Sequence, residues 1–127
     1  MKTARMELGK LGEDAACEYL VKLGHTIVER NWRRGHYELD IISLDNEGLH
    51  FVEVKSRVAP ISASPEDNVG FRKQMKLVNA AQLYLRSDDK KEKFGDIDSY
   101  FDVISVIFEG ENTDIAFYPK AFVPIYY

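Results

Sequence analysis

Residues 37–57 read YELDIISLDNEGLHFVEVKSR and carry the clearest structural pattern in the chain. Two runs rich in β-branched and aromatic residues, 37–42 and 50–55, flank the turn-forming segment 45–48. The pattern predicts an antiparallel β-hairpin. If its loop holds either two residues (46–47) or four (45–48), the numbers of paired residues sum to 93. A three-residue loop with Gly48 in a bulge would shift this pairing by one residue.

The register brings four charged side chains to one face of the hairpin. Asp40 should face Glu53, and Glu38 should face Lys55, with the Cβ atoms of facing residues about 4.5–5.5 Å apart. Because strand side chains alternate between faces, the reverse face should be apolar. Its residues are Leu39, Ile41, Val52 and Val54.

The facing acids predict a site for Mg²⁺ or Mn²⁺. Two carboxylates on facing strands repel each other unless a cation offsets their charge, and Mg²⁺ prefers such oxygen ligands. Asp40 and Glu53 would bind the ion, with the carbonyl of Val54 as a further ligand. Lys55 would orient the attacking water and stabilise charge on a phosphate, and Glu38 would hold Lys55 in place. The alternatives are a solvated Glu38–Lys55 pair worth about 0.2–1 kcal/mol and a chance pair of acids on a solvent face.

Glu13 is a third candidate ligand. The composition predicts a helix from about residue 5 to 23, and Glu13 falls on its apolar stripe with Ala16, Cys17 and Leu20. Alternatively, its methylenes carry the carboxylate from the edge of the stripe to solvent.

The motifs resemble those of known nucleases. The segments Glu38-Leu39-Asp40 and Glu53-Val54-Lys55 resemble the PD-(D/E)xK signature of the restriction-endonuclease-like superfamily, which includes type II restriction enzymes and Holliday junction resolvases. Residues 8–16, 24–33 and 101–104 extend the match, and together these segments resemble the YraN family of small bacterial proteins.

The resemblance implies roles for individual residues. Asp40 and Glu53 match the metal ligands of the family, Lys55 its motif lysine and Glu13 its helix-borne acid. Leu39 replaces the usual proline, and Tyr37 stands where the family has glycine, so its ring could restrict access to the site. A predicted second helix, 69–85, carries Lys73, which resembles the family's helix-borne lysine but could equally be a solvated lysine whose stem packs on the helix edge.

The distribution of charge is compatible with DNA as a partner. The net charge of −4 lies in the last third of the chain, since residues 1–80 hold equal numbers of acidic and basic side chains. Basic residues flank the hairpin and could contact a phosphate backbone, although a solvated basic surface is the alternative. The candidates for nucleic-acid binding are Arg33, Arg34, Arg57, Lys73 and Lys76.

The 127 residues fit a single nuclease-like domain. We expect a mobile loop at 60–68, a charged, exposed connector at 87–99 and a docked C-terminal tail at 119–127. The chain has no apolar run long enough for a membrane span, no signal-peptide core and one cysteine, Cys17, which together predict a cytoplasmic protein.

The order of elements predicts an α/β fold with a restriction-endonuclease-like core, in which two helices flank a mixed sheet of four to five strands. The expected function is metal-dependent endonucleolytic cleavage of DNA, on branched or otherwise structured substrates. A homodimer would suit junction cleavage, since two cuts need two sites. The alternative is a catalytically weak or inactive nuclease fold that binds nucleic acid or protein.

Overall fold

The computed structural model describes residues 4–60 and 69–124. The described chain forms three helices and five strands in one sheet. In chain order these are α1 (Ala4–Lys22), β1 (Thr26–Arg34), β2 (Tyr37–Leu44), β3 (Leu49–Val58), α2 (Phe71–Arg86), α3 (Asp88–Phe94), β4 (Ser99–Glu109) and β5 (Asn112–Tyr118).

The sheet is mixed, with strand order β1-β2-β3-β4-β5. Neighbouring strands are antiparallel except β3 and β4, which are parallel because the chain crosses over through α2 and α3. The prediction of an α/β fold with a mixed sheet of four to five strands is confirmed. A third, short helix adds to the two that were expected.

The hairpin of β2 and β3 has the predicted register. Ile41 pairs with Val52 and Leu44 with Leu49, around a four-residue loop closed by a hydrogen bond from the Asp45 N–H to the Gly48 carbonyl (3.1 Å). The paired numbers therefore sum to 93, as the loop of residues 45–48 requires. The ladder ends at Ile41 and Val52, so the two strands part just where Asp40 and Glu53 follow.

Each face of the sheet carries its own core. Against one face, α1 packs Ala16 and Leu20 on a cluster that includes Ile41, Val52 and Val54. Against the other, α2 contributes a second set of buried side chains. These are Leu77, Val78, Ala80, Ala81 and Tyr84. The sheet is thus held between two apolar layers, and the site residues lie in its middle.

The prediction that Leu39 shares a face with Ile41 is wrong. Leu39 belongs to the core under α2, whereas Ile41 belongs to the core under α1. The neighbouring strand β1 shows the same change of face. Trp32, the partner of Leu39, packs edge-on against Tyr84 of α2 (ring centroids 5.5 Å apart), while Arg30, the partner of Ile41, contacts α1.

A backbone irregularity explains this change of face. Asn31, between Arg30 and Trp32, has a φ of 52°, a left-handed conformation that breaks the strand's alternation. The opposite residue by register is Asp40. At this point the strand pair exchanges its inward and outward sides, so Asp40 lies where the regular sheet is interrupted.

Gly12 fixes how closely α1 approaches the sheet. It is buried, and a Cβ atom at this position would collide with the side chain of Ser56 on β3. Because glycine has no side chain, the helix can lie directly on β3. This contact places Glu13, the next residue, near the carboxylates of the hairpin.

The segment 87–99 is largely exposed, as predicted, but most of it is helical and it is anchored to the core. It contains α3, and Phe94 at the end of that helix is only 3% exposed because it joins the core under α2. In the predicted tail, the described residues 121–124 have no regular structure, and the Ala121 N–H donates to the Phe101 carbonyl (2.8 Å). Most of the predicted loop (61–68) and the end of the tail (125–127) lie outside the described residues. No helix in the described ranges is long and apolar enough to cross a membrane.

Candidate metal centre

Asp40 occupies the gap where β2 and β3 part. Its Oδ2 accepts a hydrogen bond from the Val54 N–H (2.9 Å), a group that the β2–β3 ladder leaves unpaired on this side. The bond fixes the carboxylate between the strands and joins Asp40 to the Glu-x-Lys segment of β3. The structure thus shows a hydrogen bond made by the N–H of Val54. The proposal that the Val54 carbonyl binds a metal stays a prediction.

Glu53 is a buried acid with an unsatisfied oxygen. Its side chain is 11% exposed, and Oε2 accepts no hydrogen bond. The Nζ of Lys73 on α2 lies 3.4 Å from Oε2. Burial, followed by the charge and hydrogen bond of Asp40, raises the pKa of Glu53 to about 8, although Lys73 opposes the shift. In the absence of a cation, Glu53 is therefore protonated at neutral pH.

Glu13 approaches Asp40 from α1. Its side chain is 15% exposed, and burial together with the charge of Asp40 raises its pKa, against the opposing effects of Asn31 and Arg30. The Arg30 guanidinium lies 3.8 Å from Glu13 Oε1 and 2.7 Å from Asp14 Oδ1, so its closer partner is Asp14. Asp40 is therefore the common electrostatic neighbour of Glu13 and Glu53, as a shared cation site requires.

The oxygen atoms of these carboxylates are the ligand type that a hard divalent cation prefers, but the three groups lie too far apart to bind one ion together. Oε2 of Glu53 accepts no hydrogen bond, and the pKa values of both glutamates are raised despite the nearby Lys73 and Arg30, so negative charge here is incompletely compensated; a cation would compensate it. In the described part of the chain, however, Glu13, Asp40 and Glu53 do not place one oxygen each within 4.8 Å of the others. Glu53 and Asp40 fit as a pair of ligands, and Glu13 would need to move or act through water.

Glu38 is not paired with Lys55 in the sheet, contrary to the predicted register. The ladder ends before these residues, because Asp40 interrupts it. Glu38 instead faces Arg33 of β1, with an ion pair of 3.3 Å between two well-exposed side chains. Lys55 lies beside Ser105 in the parallel register of β3 and β4, and the Oγ of Ser105 is buried without a hydrogen-bond partner.

The predicted basic residues lie on several surfaces. Arg33 lines a cavity of about 620 Å³ beside Glu13, together with Lys10 and Arg30. Lys73 and Lys76 line a smaller cavity of about 90 Å³, which Tyr37 and Glu38 also border. Arg34 is exposed at the end of β1, and Arg57 is half-buried on β3. The structure therefore gathers three basic side chains next to Glu13, and Lys10 and Arg30 were not among the predicted ones.

A second polar cluster at the hairpin loop was missed by sequence reasoning. The rings of His25 and His50 lie against each other at an interplanar angle of 51°, with centroids 4.6 Å apart, and both Nε2 atoms face Asp45, at 3.4 and 2.8 Å. Burial and the neighbouring His50 lower the pKa of His25. Burial also opposes protonation of His50, but its hydrogen bonds to Asp102 and Asp45 outweigh this and raise its pKa.

The positions of this cluster were partly readable from the register. Ser43 pairs with His50 by the rule that numbers sum to 93, and the β1–β2 pairing of Thr26 with Leu44 places His25 beside Asp45. The pairing of β1 with β2 could be read only from the structure. The signal in the sequence was that His25, Asp45 and His50 all lie at the ends of predicted strands.

The model of the uncharacterised protein family UPF0102 matches residues 12–106. The chain belongs to this family. A UPF0102 protein of Bacteroides thetaiotaomicron is 42% identical over 118 residues, which cover 93% of each chain. Another, from Desulforamulus reducens, is 44% identical over 114 residues, 89% of this chain and 91% of that one. The match confirms the resemblance drawn from the motifs, and places the chain in a family of the restriction-endonuclease-like superfamily.

A structural comparison finds a more distant likeness. The chain is similar to SfsA of Pyrococcus furiosus in complex with Ca²⁺, with 17% identity and a TM-score of 0.41, over 89% of this chain and 64% of that one. The site described above therefore depends on the residues of this UPF0102 chain and not on that likeness.

Proposed function

We propose that this UPF0102 protein is a Mg²⁺- or Mn²⁺-dependent phosphodiesterase that cleaves DNA, with branched or otherwise structured DNA as its substrate. The observation that carries the proposal is the carboxyl of Glu53, which is buried beside Asp40 with an oxygen, Oε2, that accepts no hydrogen bond and has only the 3.4 Å contact to Lys73. A fold that needed only a packed sheet would have an apolar or satisfied side chain there. Such an arrangement is typical of a functional site.

Asp40 and Glu53 would hold the cation between them. Asp40 is oriented by the Val54 N–H, and Glu53 by the burial of its side chain between β3 and α2. When bound, a divalent ion supplies charge neutralisation for the phosphate and for the attacking oxygen. Glu13 would then orient a water molecule on the α1 side, since it is near Asp40 but spread away from the pair.

Two lysines would serve the reacting phosphate. Lys55 follows Glu53 by two residues on the same strand and would orient the nucleophile and stabilise charge on the phosphate oxygens. The Nζ of Lys73 already lies 3.4 Å from Oε2 of Glu53. If a cation bound Oε2 of Glu53 in place of Lys73, the Lys73 ammonium could instead contact a phosphate.

The basic cavity next to Glu13 suits the DNA backbone. Lys10, Arg30 and Arg33 line it on the side of α1 and β1. Phosphate contacts of this kind give affinity without sequence preference, and they weaken as the salt concentration rises. A backbone held here would pass close to Asp40, which neighbours Glu13.

Cleavage assays test the proposal directly. The native chain is incubated with Mn²⁺ or Mg²⁺ and with duplex, single-stranded and four-way-junction DNA, and at least one of these should be cut. Asp40→Asn and Lys55→Ala should each abolish the cuts, whereas Asp114→Asn, at an exposed position on β5, should not. The absence of cleavage for every substrate in both metals would contradict the proposal.

A second candidate is a nuclease fold that binds DNA without cutting it. The wide spacing of the three carboxylates favours it, as does the ring of Tyr37, which packs beside the core under α2 and borders the cavity of Lys73. This candidate predicts DNA binding that survives EDTA and is unchanged by Glu53→Gln. The phosphodiesterase predicts weaker binding in both cases. Sedimentation of the DNA complex would show whether two chains bind one junction.

A further inference from the structure

The second polar cluster lies far from the carboxylates described above. His25 precedes β1, Asp45 begins the loop of the hairpin, and His50 is the second residue of β3, directly after that loop. Asp45 follows Asp40 by five residues of extended chain, or about 16 Å at the rise of a β-strand. Any ligand of this cluster would therefore occupy a site of its own.

Three ligand atoms converge in this cluster. One atom from each of His25, Asp45 and His50 lies within 4.8 Å of the other two, and among the residues that the structure describes no other such group is found. In a tetrahedral zinc site with bonds of about 2.0–2.1 Å, ligand atoms are separated by roughly 3.3 Å. The 3.4 Å between His25 Nε2 and Asp45 Oδ2 already matches this spacing, and the 2.8 Å between His50 Nε2 and Asp45 Oδ1 is near it.

The Nδ1 atom of each imidazole, which points away from Asp45, already forms a hydrogen bond. His50 Nδ1 donates to Oδ2 of Asp102 (2.7 Å), and His25 Nδ1 hydrogen-bonds with the hydroxyl of Ser43 (2.9 Å). Asp102 and Ser43 are fully buried, at 1% and 0% exposure. Histidines that bind metals characteristically have their second nitrogen fixed in this way, which orients the ring. In the metal-free cluster His50 Nε2 donates to Asp45 Oδ1 (2.8 Å), and an ion would displace that proton and take the lone pair of Nε2.

The two carboxylate oxygens of Asp45 differ in how many contacts they make. Its Oδ1 accepts from the N–H groups of Glu47 (2.9 Å) and Gly48 (3.2 Å) as well as from His50, which fixes the carboxylate in the loop. Its Oδ2 has only the longer contact to His25. The side chain of Asp45 is 16% exposed, so an ion could enter from the loop side and keep a solvent ligand there.

We propose that His25, Asp45 and His50 bind one divalent transition-metal ion of the Zn²⁺ class, with water as the fourth ligand. Imidazole nitrogens select Zn²⁺ and its neighbours over Mg²⁺, whereas the all-oxygen pair of Asp40 and Glu53 has the opposite preference. The ion would join the entry of β1, the hairpin loop and, through Asp102, β4. Since the unfolded chain cannot assemble these ligands, the ion stabilises the fold.

Zinc titration by calorimetry tests the site. The parent is the full chain with Asp40→Asn, in which the carboxylate pair is disabled, after removal of metals with EDTA and dialysis. It should bind one Zn²⁺ per chain and gain thermal stability. In that parent, His25→Gln should weaken Zn²⁺ affinity at least tenfold, while His36→Gln, which alters the exposed histidine outside the cluster, should leave it unchanged.

A measurement without further substitution keeps the inference falsifiable if His25→Gln does not fold. In the ¹⁵N-labelled parent, Zn²⁺ should shift the Nε2 resonances of His25 and His50 to values of bound imidazole, with both Nδ1 resonances remaining those of hydrogen-bonded nitrogen. Co²⁺ in place of Zn²⁺ should give the visible absorption of a four-coordinate ion. Unchanged Nε2 resonances, or Zn²⁺ binding that His25→Gln leaves intact, would overturn the inference and leave a hydrogen-bonded cluster only.

Discussion

Replacing Glu53 by Gln should stabilise the metal-free protein, and by more at higher pH. In the absence of a cation the Glu53 carboxyl stays protonated near neutral pH, because burial and Asp40 raise its pKa to about 8. Gln resembles the protonated acid in shape and can still donate to Asp40, but it cannot ionise. The substitution thus removes the cost of keeping an acid in this position.

The magnitude follows from the two pKa values of Glu53. Below pH 4.5, its ordinary value, the acid is protonated in both states and has no effect. Between 4.5 and about 8 the unfolded chain releases the proton while the folded protein retains it, so the free energy of unfolding falls by up to about 1.4 kcal/mol per pH unit. The loss is complete above the folded pKa and totals up to about 5 kcal/mol, a large share of a typical stability of about 5–15 kcal/mol.

Urea unfolding in EDTA from pH 4 to 9 measures this effect. The difference in free energy of unfolding between Glu53→Gln and the native chain should widen as the pH rises and level off above about 8. Glu18→Gln is the control, because Glu18 is 72% exposed and only pairs with Lys22, so its curve should run parallel to the native one. Saturating Mn²⁺ at pH 8 should restore stability to the native chain and not to Glu53→Gln.

One result would refute this reasoning. If the native chain and Glu53→Gln show the same pH dependence in EDTA, Glu53 ionises as an ordinary surface acid. Its proximity to Asp40 would then not create the uncompensated charge on which the cation site depends.

Three further predictions concern packing and DNA binding. Gly12→Ala should lower the free energy of unfolding by about 1–3 kcal/mol, because the added methyl collides with Ser56, while Gly9→Ala, with open space around it, should not destabilise; urea unfolding measures both. Phe94→Ala should cost about 3–5 kcal/mol in the same assay if α3 is docked as the structure shows, and a cost below 1 kcal/mol would contradict that docking. Arg30→Gln should weaken DNA binding and reduce its dependence on salt concentration by about one phosphate contact; an unchanged salt dependence in fluorescence anisotropy would exclude Arg30 from the interface.

The hairpin was predictable because two local signals agree there. Alternation of side chains in 37–42 and 50–55 fixes the faces, and the turn composition of 45–48 fixes the loop, so the register of Ile41 with Val52 follows. The exchange of faces at Leu39 was not predictable. It depends on the left-handed conformation of Asn31, which nothing in the composition of β1 requires.

Charge composition was a poor guide to the segment 87–99. Its many acids and lysines indicate exposure, and most of them are indeed on the surface. The docking of α3 depends on one aromatic side chain, Phe94, and on the depth of the core under α2, which is a tertiary property. The proximity of Asp40 to Glu53 was predictable because the hairpin register ends at Ile41 and Val52, one residue short of each acid, although the hydrogen bond from the Val54 N–H that holds Asp40 there was not.

The histidine cluster depends on strand pairings between segments that are distant in sequence. His25 and Asp45 lie 20 residues apart in sequence and meet because β1 pairs with β2, while Asp102 reaches His50 only through the parallel crossover to β4. No local pattern around His25 or His50 distinguishes them from surface histidines. Their shared burial, at 8% and 3% exposure, is visible only in the folded chain.

Anomalous diffraction from crystals soaked in Mn²⁺ would locate a cation bound between Asp40 and Glu53. We predict a peak within about 2.1 Å of carboxylate oxygens of both Asp40 and Glu53, with the Oε2 of Glu53 turned from Lys73 toward the ion. An empty gap between these two side chains at saturating Mn²⁺, with Glu53 still against Lys73, would contradict the account.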